Sequence, residues 1–278
     1  MSDLADPRLS TTRKSRYRPW IWLGRIAVLV IFLGGWELLV RTKVIDPFFW
    51  GQPTGIASQI WDWVQNGTAQ GPLQDQIAVT MEETVLGFLI GVVLGVIAGV
   101  ALGRIRWLSD IFGPYIKILN SIPRIVLGSL FIVAFGLGLT SKVLLAVVLV
   151  FFAVFFNAYQ GTREVDQNLL ANARILGASR WQVTRQVVLP SAFTWIIASL
   201  HISFGFALIG AIVGEFLGAV QGVGLLIRTA QGTFNANGVL AGMVIVAVLA
   251  LVAELLITLL EKRLLRWRPP QVTSGARL

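Results

Sequence analysis

Side chains able to do chemistry are few and scattered along these 278 residues. Cysteine is absent, which excludes disulfides, thiolate metal sites and cysteine nucleophiles and leaves the redox compartment open. Any histidine-dependent triad would have to use His201, the single imidazole. That residue stands in an apolar stretch with no acid among the ten residues before it, so it reads as a packed or pore-facing helix residue. No Ser/His/Asp set, metal-ligand cluster or carboxylate pair is apparent at the membrane interface, so no catalytic residue, metal ligand or cofactor is predicted. ATP chemistry also lacks a site, because there is neither a Gly-x-x-x-x-Gly-Lys-Ser/Thr run nor a Gly-Lys dipeptide to cradle phosphates. What remains are charges in apolar surroundings. Lys117 and Arg124 are costly there and could meet an anionic substrate; Arg124 could equally pair with Glu254 or Glu215 or snorkel to an interface. Glu254 is the one acid placed deep enough in an apolar window to take up a coupling ion.

The elements that hold these charges follow from composition. Hydrophobic residues make up 55% of the chain and charged residues 13%, where a soluble domain carries about a quarter charged. Mean hydropathy is +0.75, so the apolar excess must face lipid. A hydrocarbon core about 30 Å thick takes roughly 20 apolar residues per helix. Six windows approach that length: 20–40, 79–102, 111–137, 143–159, 192–213 and 239–260. An all-α membrane protein of about six transmembrane helices is therefore expected. The net charge of +9 does not indicate nucleic acid, because the basic residues sit at the ends of the windows, where they report topology.

Residues 1–19 form a basic tail, and the Trp-rich window at 20–40 is too long for a signal peptide and has no small-residue cleavage site after it. It is read as a retained first helix entering from the cytoplasm. Alternating the spans puts the tail, the Arg104/Arg106 turn, a long loop at 161–190 and a tail at 261–278 on one side. Lys and Arg number sixteen there against four on the other side, namely Arg41, Lys43, Lys142 and Arg228. The excess marks the cytoplasm, so both termini are expected inside an inner membrane. Residues 41–78 form an extracytoplasmic loop with a short interfacial helix near 56–64, and 79–260 hold a core of five helices. No internal repeat of the secondary-transporter kind is visible.

Within these elements, Gly87, Gly91, Gly95, Gly99 and Gly103 recur every four residues and form a ridge suited to close helix packing. Pro114 and Pro123 interrupt the third window, and a kink is expected near Ser121–Pro123. Irregular backbone at that depth must be covered by protein or line a water-filled cavity, so Ser121, Pro123, Arg124 and Glu215 are candidate pathway residues. The 161–190 loop reads as a helix over Val165 to Leu176, a stop at Gly177, a second helix capped by Ser179, and a return to the membrane at Pro190.

That loop resembles the type I permease subunits of ATP-binding-cassette importers, whose signature is Glu-Ala-Ala, three residues, Gly, nine residues, then Ile-x-Leu-Pro. Here the chain has Ala171-Asn172-Ala173, then Gly177, then Val187-Val188-Leu189-Pro190 at the same spacing; Ala171-Asn172 replaces Glu-Ala. The resemblance runs from about Pro47 to Trp267 and is closest to the nitrate, taurine and aliphatic-sulfonate branch. Gln52-Pro53-Thr54, Gly87-Phe88, Ser121-Ile122-Pro123, Phe135-Gly136-Leu137-Gly138, Gly214-Glu215 and Gly222-Val223-Gly224-Leu225-Leu226 carry it. The branch also holds pyrimidine, thiamine-precursor and riboflavin importers. The resemblance implies a MetI-like bundle and a homodimer in membrane lipid. It further implies an extracytoplasmic solute-binding protein and a separate ATPase subunit docked at Ala171, Ala173, Gly177, Ala178, Leu189 and Pro190. An ion-coupled secondary transporter using Glu254 is the alternative from another class.

Overall fold

The computed structural model of the chain describes residues 18–165 and 167–264; most of the two expected basic tails, 1–17 and 265–278, lies outside the described residues. Every regular element among the described residues is helical. Helix α1 (Arg18–Arg41) leads into a short α2 (Pro47–Trp50) and an α3 (Pro53–Gln65), each opened by a proline in its first turn, where the missing N–H has no helical partner to lose. The Asp46 side chain caps α2 by accepting from Phe48 N at 2.9 Å. The long α4 (Leu73–Arg104) begins six residues before its apolar window. Its first turns bury Gln76, ahead of the window, and Thr80 and Glu83 at the window's start, and Gln76 and Thr80 find hydrogen-bond partners inside the fold.

The third window is two helices, α5 (Arg106–Ser121) and α6 (Arg124–Phe135), bent by 88° at their junction. The expected kink is thus a full break. Ile122 is extended, at φ −70° and ψ 132°, as the residue before a proline prefers. Pro114 sits inside α5 without ending it. Among the described residues five unbroken helices are long and apolar enough to cross a membrane, six if the bent pair is one span.

Helix α7 (Leu139–Arg163) is followed by α8 (Gln167–Ile175) and a one-turn α9 (Arg180–Val183). From there the chain runs through a π-helical segment, Thr184–Val188, straight into α10 (Leu189–Leu217). Pro190 was expected to mark a return to the membrane after a separate second helix; instead the helix is continuous across it. The wider π turn accounts for this, since a proline inside a helix lacks a donor and crowds the carbonyl four residues back. Then come α11 (Val223–Gly232) and α12 (Ala236–Leu264).

Helices α4, α7 and α10 form the packed centre. The five ridge glycines of α4 face α7, where Ala146, Val150, Val154, Ala158 and Thr162 recur at the same four-residue interval. A Cβ at Gly91 would lie 2.7 Å from Val150 Cβ, and one at Gly99 2.6 Å from the Phe155 carbonyl. Gly210 of α10 meets the opposite side of Ala146, where a Cβ would come 2.6 Å from its Cα. Backbone-to-backbone approach of this kind supplies the dispersion contact that holds helices together when lipid is as apolar as the side chains.

Candidate functional site

The stretch joining α7 to α10 folds back on itself as an elbow at one end of the bundle. Val165, Val183 and Val188 are buried there, with Leu170, Ala173, Ala178 and Val187 packed around them. Gly177 stops α8 with φ +76°, and Ala178 N donates to Ala173 O at 3.0 Å. This is a Schellman stop, which needs a residue at ease in the left-handed region. Ser179 N donates to Gln182 Oε1 at 2.7 Å while Gln182 N donates to Ser179 Oγ at 3.3 Å, a reciprocal cap on α9. Arg104, at the end of α4, donates to Thr184 Oγ1 at 2.7 Å and ties the elbow to the bundle. Of the residues expected to make the contact, Ala171, Gly177, Leu189 and Pro190 are exposed, while Ala173 and Ala178 are half-buried against the valines. Leu169 and Leu176 point outward. Ile175 and Leu176 are 82% and 85% exposed, and Trp181 stands beside them at 68%. Seven residues at the α8–α9 turn, 175–181, thus present three large apolar side chains on a scaffold with its own small core.

At the opposite end a buried polar network joins four helices. Glu215 near the end of α10 is fully enclosed. Its Oε1 accepts from Thr80 Oγ1 at 2.7 Å and its Oε2 from Gly224 N at 2.6 Å. The neighbouring amides of α11 are spoken for as well, because Val223 N donates to Thr80 Oγ1 at 2.9 Å and Gly222 N to Gln76 Oε1 at 2.8 Å. The carboxylate therefore sits at the N-terminus of α11, where the helix dipole favours negative charge. Gly222 is the residue that permits this: at φ +113° its missing Cβ would fall on the Glu215 carboxyl. Sequence reasoning singled out Gly214-Glu215 and Gly222-Val223-Gly224 as two separate motifs; in the fold they are two sides of one bond.

Two further members of the network were missed or misread. Glu83, 3% exposed, lies within hydrogen-bonding reach of Glu215, so the chain does bring two carboxyls together, and Glu254 is not the acid deepest in the bundle. Lys142, assigned from sequence to a loop, is buried in the first turn of α7, donating to the carbonyls of Leu137 and Gly138, the latter at 3.1 Å. A cavity of about 190 Å³ opens beside Glu83, lined by Val79, Glu82, Leu137, Gly138 and Gln221 among others.

The break between α5 and α6 holds Ser121, Pro123 and Arg124 together. Ser121 Oγ donates to Lys117 O at 2.9 Å. Arg124 donates to Asn120 Oδ1 and lies 4.8 Å over the Phe152 ring, so it pairs with neither Glu215 nor Glu254. Phe152 is ten residues along α7 from Lys142, about 15 Å of helix. Glu215, expected beside Arg124, is thus in a different place with both oxygens occupied. None of the α5 residues is buried; Arg106, Asp110, Lys117 and Asn120 follow helical spacing along one side, and Trp107, Ile111, Tyr115 and Ile118 along the other.

His201 is bonded rather than merely packed, because its Nδ1 is 2.7 Å from Glu254 Oε1 and its Nε2 3.0 Å from Glu261 Oε2. Among the described residues no group of three or more His, Cys, Asp or Glu side chains could hold a metal ion.

Known proteins are similar to this chain in sequence and in fold. The riboflavin transport system permease protein RibX of Chloroflexus aurantiacus is 33% identical over 89% of this chain and 91% of its own. The taurine transport system permease protein TauC of Escherichia coli is 29% identical over 91% and 94%. Among solved structures, an inward-facing form of the methionine ABC transporter MetNI overlays 70% of this chain and 94% of its own with a TM-score of 0.59 at 23% identity, a likeness of fold. The description of binding-protein-dependent transport system inner membrane components matches residues 91–266, from Gly91 of the ridge through the elbow, Glu215 and α11 into α12. The chain belongs to that family and is a multi-pass permease subunit of an ABC importer.

Proposed function

We propose that this subunit, as a homodimer, carries a small organic anion of the sulfonate or taurine kind inward across the membrane. A separate subunit docked on the elbow hydrolyses the ATP, and an extracytoplasmic binding protein delivers the cargo. The observation carrying the reading is the elbow itself, where Ile175, Leu176 and Trp181 stand free of the bundle on a capped, internally packed hairpin. Exposed apolar side chains clustered on an ordered scaffold fit a protein contact, and the continuous helix from Arg180 into α10 gives that contact a rigid lever into the membrane. In this orientation both termini and the elbow are cytoplasmic, and the Glu215 network is at the outer end.

An anionic cargo is supported by the broken span. Asn120 and the Phe152 ring hold the Arg124 guanidinium in place at the break between α5 and α6, and Ser121 Oγ donates to Lys117 O in the last turn of α5. In a dimer, irregular backbone at this depth is expected to face the cavity. The taurine permease similarity agrees. The 33% identity to a riboflavin permease supports a second cargo, a flat heteroaromatic ring. Competition for uptake by taurine, an alkanesulfonate or riboflavin separates the two.

Docking is tested by a pair of substitutions. Both Asn and Asp tolerate the left-handed backbone that Gly177 adopts, and a Cβ there meets nothing within 4 Å, so Gly177→Asn and Gly177→Asp differ only in charge. Both should insert normally. Gly177→Asp should lose its ATPase on purification while Gly177→Asn retains it; undiminished ATPase on Gly177→Asp removes the assigned docking point.

A further inference from the structure

His201 is the only imidazole in the chain, and both of its ring nitrogens face carboxylate oxygens, Nδ1 on Glu254 at 2.7 Å and Nε2 on Glu261 at 3.0 Å. A neutral imidazole has one N–H and one bare lone pair. Placed here it would turn that lone pair on one of the two carboxylates. With both glutamates ionised, and so acceptors only, the arrangement is satisfied throughout only when both nitrogens carry a proton and both donate. The two glutamates are seven residues apart, two turns along a single face of α12, and His201 reaches them from α10. Among the described side chains the charges acting on the ring are these two carboxylates; α4, α6, α7 and α11, which also pack on α10, bring none, Arg124 of α6 included. Around the clamp Leu251, Leu255 and Leu259 of α12 are exposed while Ala253 is buried and Ile257 and Thr258 half-buried, so the inward side here is narrow and His201 supplies its polar tie to α10.

We propose that His201 is a positioning residue: as an imidazolium it pins the half of α12 nearest the elbow to α10, the helix into which the elbow runs. Acid on that side keeps the clamp closed, and alkali opens it by removing the proton that one carboxylate needs. Movement entering α10 from the elbow is then passed to α12 only while the ring is charged. This last step rests on the transport reading above; the clamp itself does not.

The test uses the full chain in lipid nanodiscs, purified without a histidine tag. Labelling histidine with nitrogen-15 yields a single ring, so its two nitrogens are read without assignment. At pH 7 both should resonate at the protonated position. The chain has no native cysteine, so spin labels at Ile202→Cys and Leu255→Cys, both on exposed positions, report the α10–α12 separation. That separation should widen when the pH is raised until the ring signal becomes neutral, and His201→Gln should show the wide separation at every pH. Should His201→Gln fail to insert, the Glu254→Gln, Glu261→Gln pair must give the neutral ring and the wide separation at pH 7. A neutral ring at pH 7 in the unmodified sequence, or a separation that ignores pH and substitution alike, overturns the proposal. No ATPase or cargo is needed, so that failure would leave the transport assignment standing.

Discussion

Truncating Glu215 to alanine strands the buried Gly224 amide, while the Thr80 hydroxyl falls back on Gln76 O at 3.1 Å. A buried donor left unmade costs about 1–3 kcal/mol, so Glu215→Ala should destabilise the folded subunit by about that amount. Thermal unfolding in detergent would show it as a large fall in midpoint. Glu83 has Oε2 buried without a partner and lies beside a second carboxyl, so Glu83→Gln should cost far less and keep the midpoint near its original value. Equal losses would mean that the network does not centre on Glu215. The ridge gives a contrasting case. Gly99→Leu would push a side chain into the Phe155 carbonyl and Ala158, and overpacking of this order costs about 1–3 kcal/mol. Gly24, with nothing within 4 Å of its Cβ position, should accept leucine without loss. Neither His201 nor Glu83 could have been read correctly from the chain alone. The partners of His201 are 53 and 60 residues away. Glu83 and Lys142 stand at the ends of apolar windows, where a charge ordinarily means water.

At the scale of elements, the elbow makes a separable prediction because its apolar tip contributes nothing to its own core. Leu176→Ser removes a side chain already 85% exposed, so the unfolding midpoint should hardly move. Burying such a leucine against a partner is worth about 1.5–3 kcal/mol, so ATPase affinity should drop by roughly ten- to hundredfold, read by titrating the purified ATPase onto nanodiscs. Unchanged affinity would place the contact elsewhere on the loop. Gly177 and Ser179 were legible as a stop and a cap because those roles depend on residue type and local spacing. The continuity of α9 with α10 was not, since Pro190 is a helix breaker by propensity and only the π segment before it lets the helix pass. The break at Ile122–Pro123 could be expected from the proline, whereas its 88° angle depends on what α6 packs against.

For the whole molecule, six apolar windows and the placement of glycine at every fourth residue foretold an α-helical membrane bundle with a tightly packed second span. Hydropathy could not tell which helices form the centre; that choice falls to α4, α7 and α10, because the stripe from Ala146 to Thr162 complements the glycine ridge. The direction in which the bundle is threaded decides everything the elbow can do, since only a cytoplasmic elbow can reach a subunit that hydrolyses ATP. A chain without cysteine allows that direction to be measured with single probes. Leu176→Cys at the elbow and Val220→Cys at the other end, both on exposed side chains, are treated with a membrane-impermeant maleimide in spheroplasts and in inside-out vesicles. Labelling of Val220→Cys in spheroplasts alone, and of Leu176→Cys in inside-out vesicles alone, is the predicted result. Labelling of Leu176→Cys in intact spheroplasts would put the elbow outside, beyond the reach of any cytoplasmic ATPase, and would contradict the account.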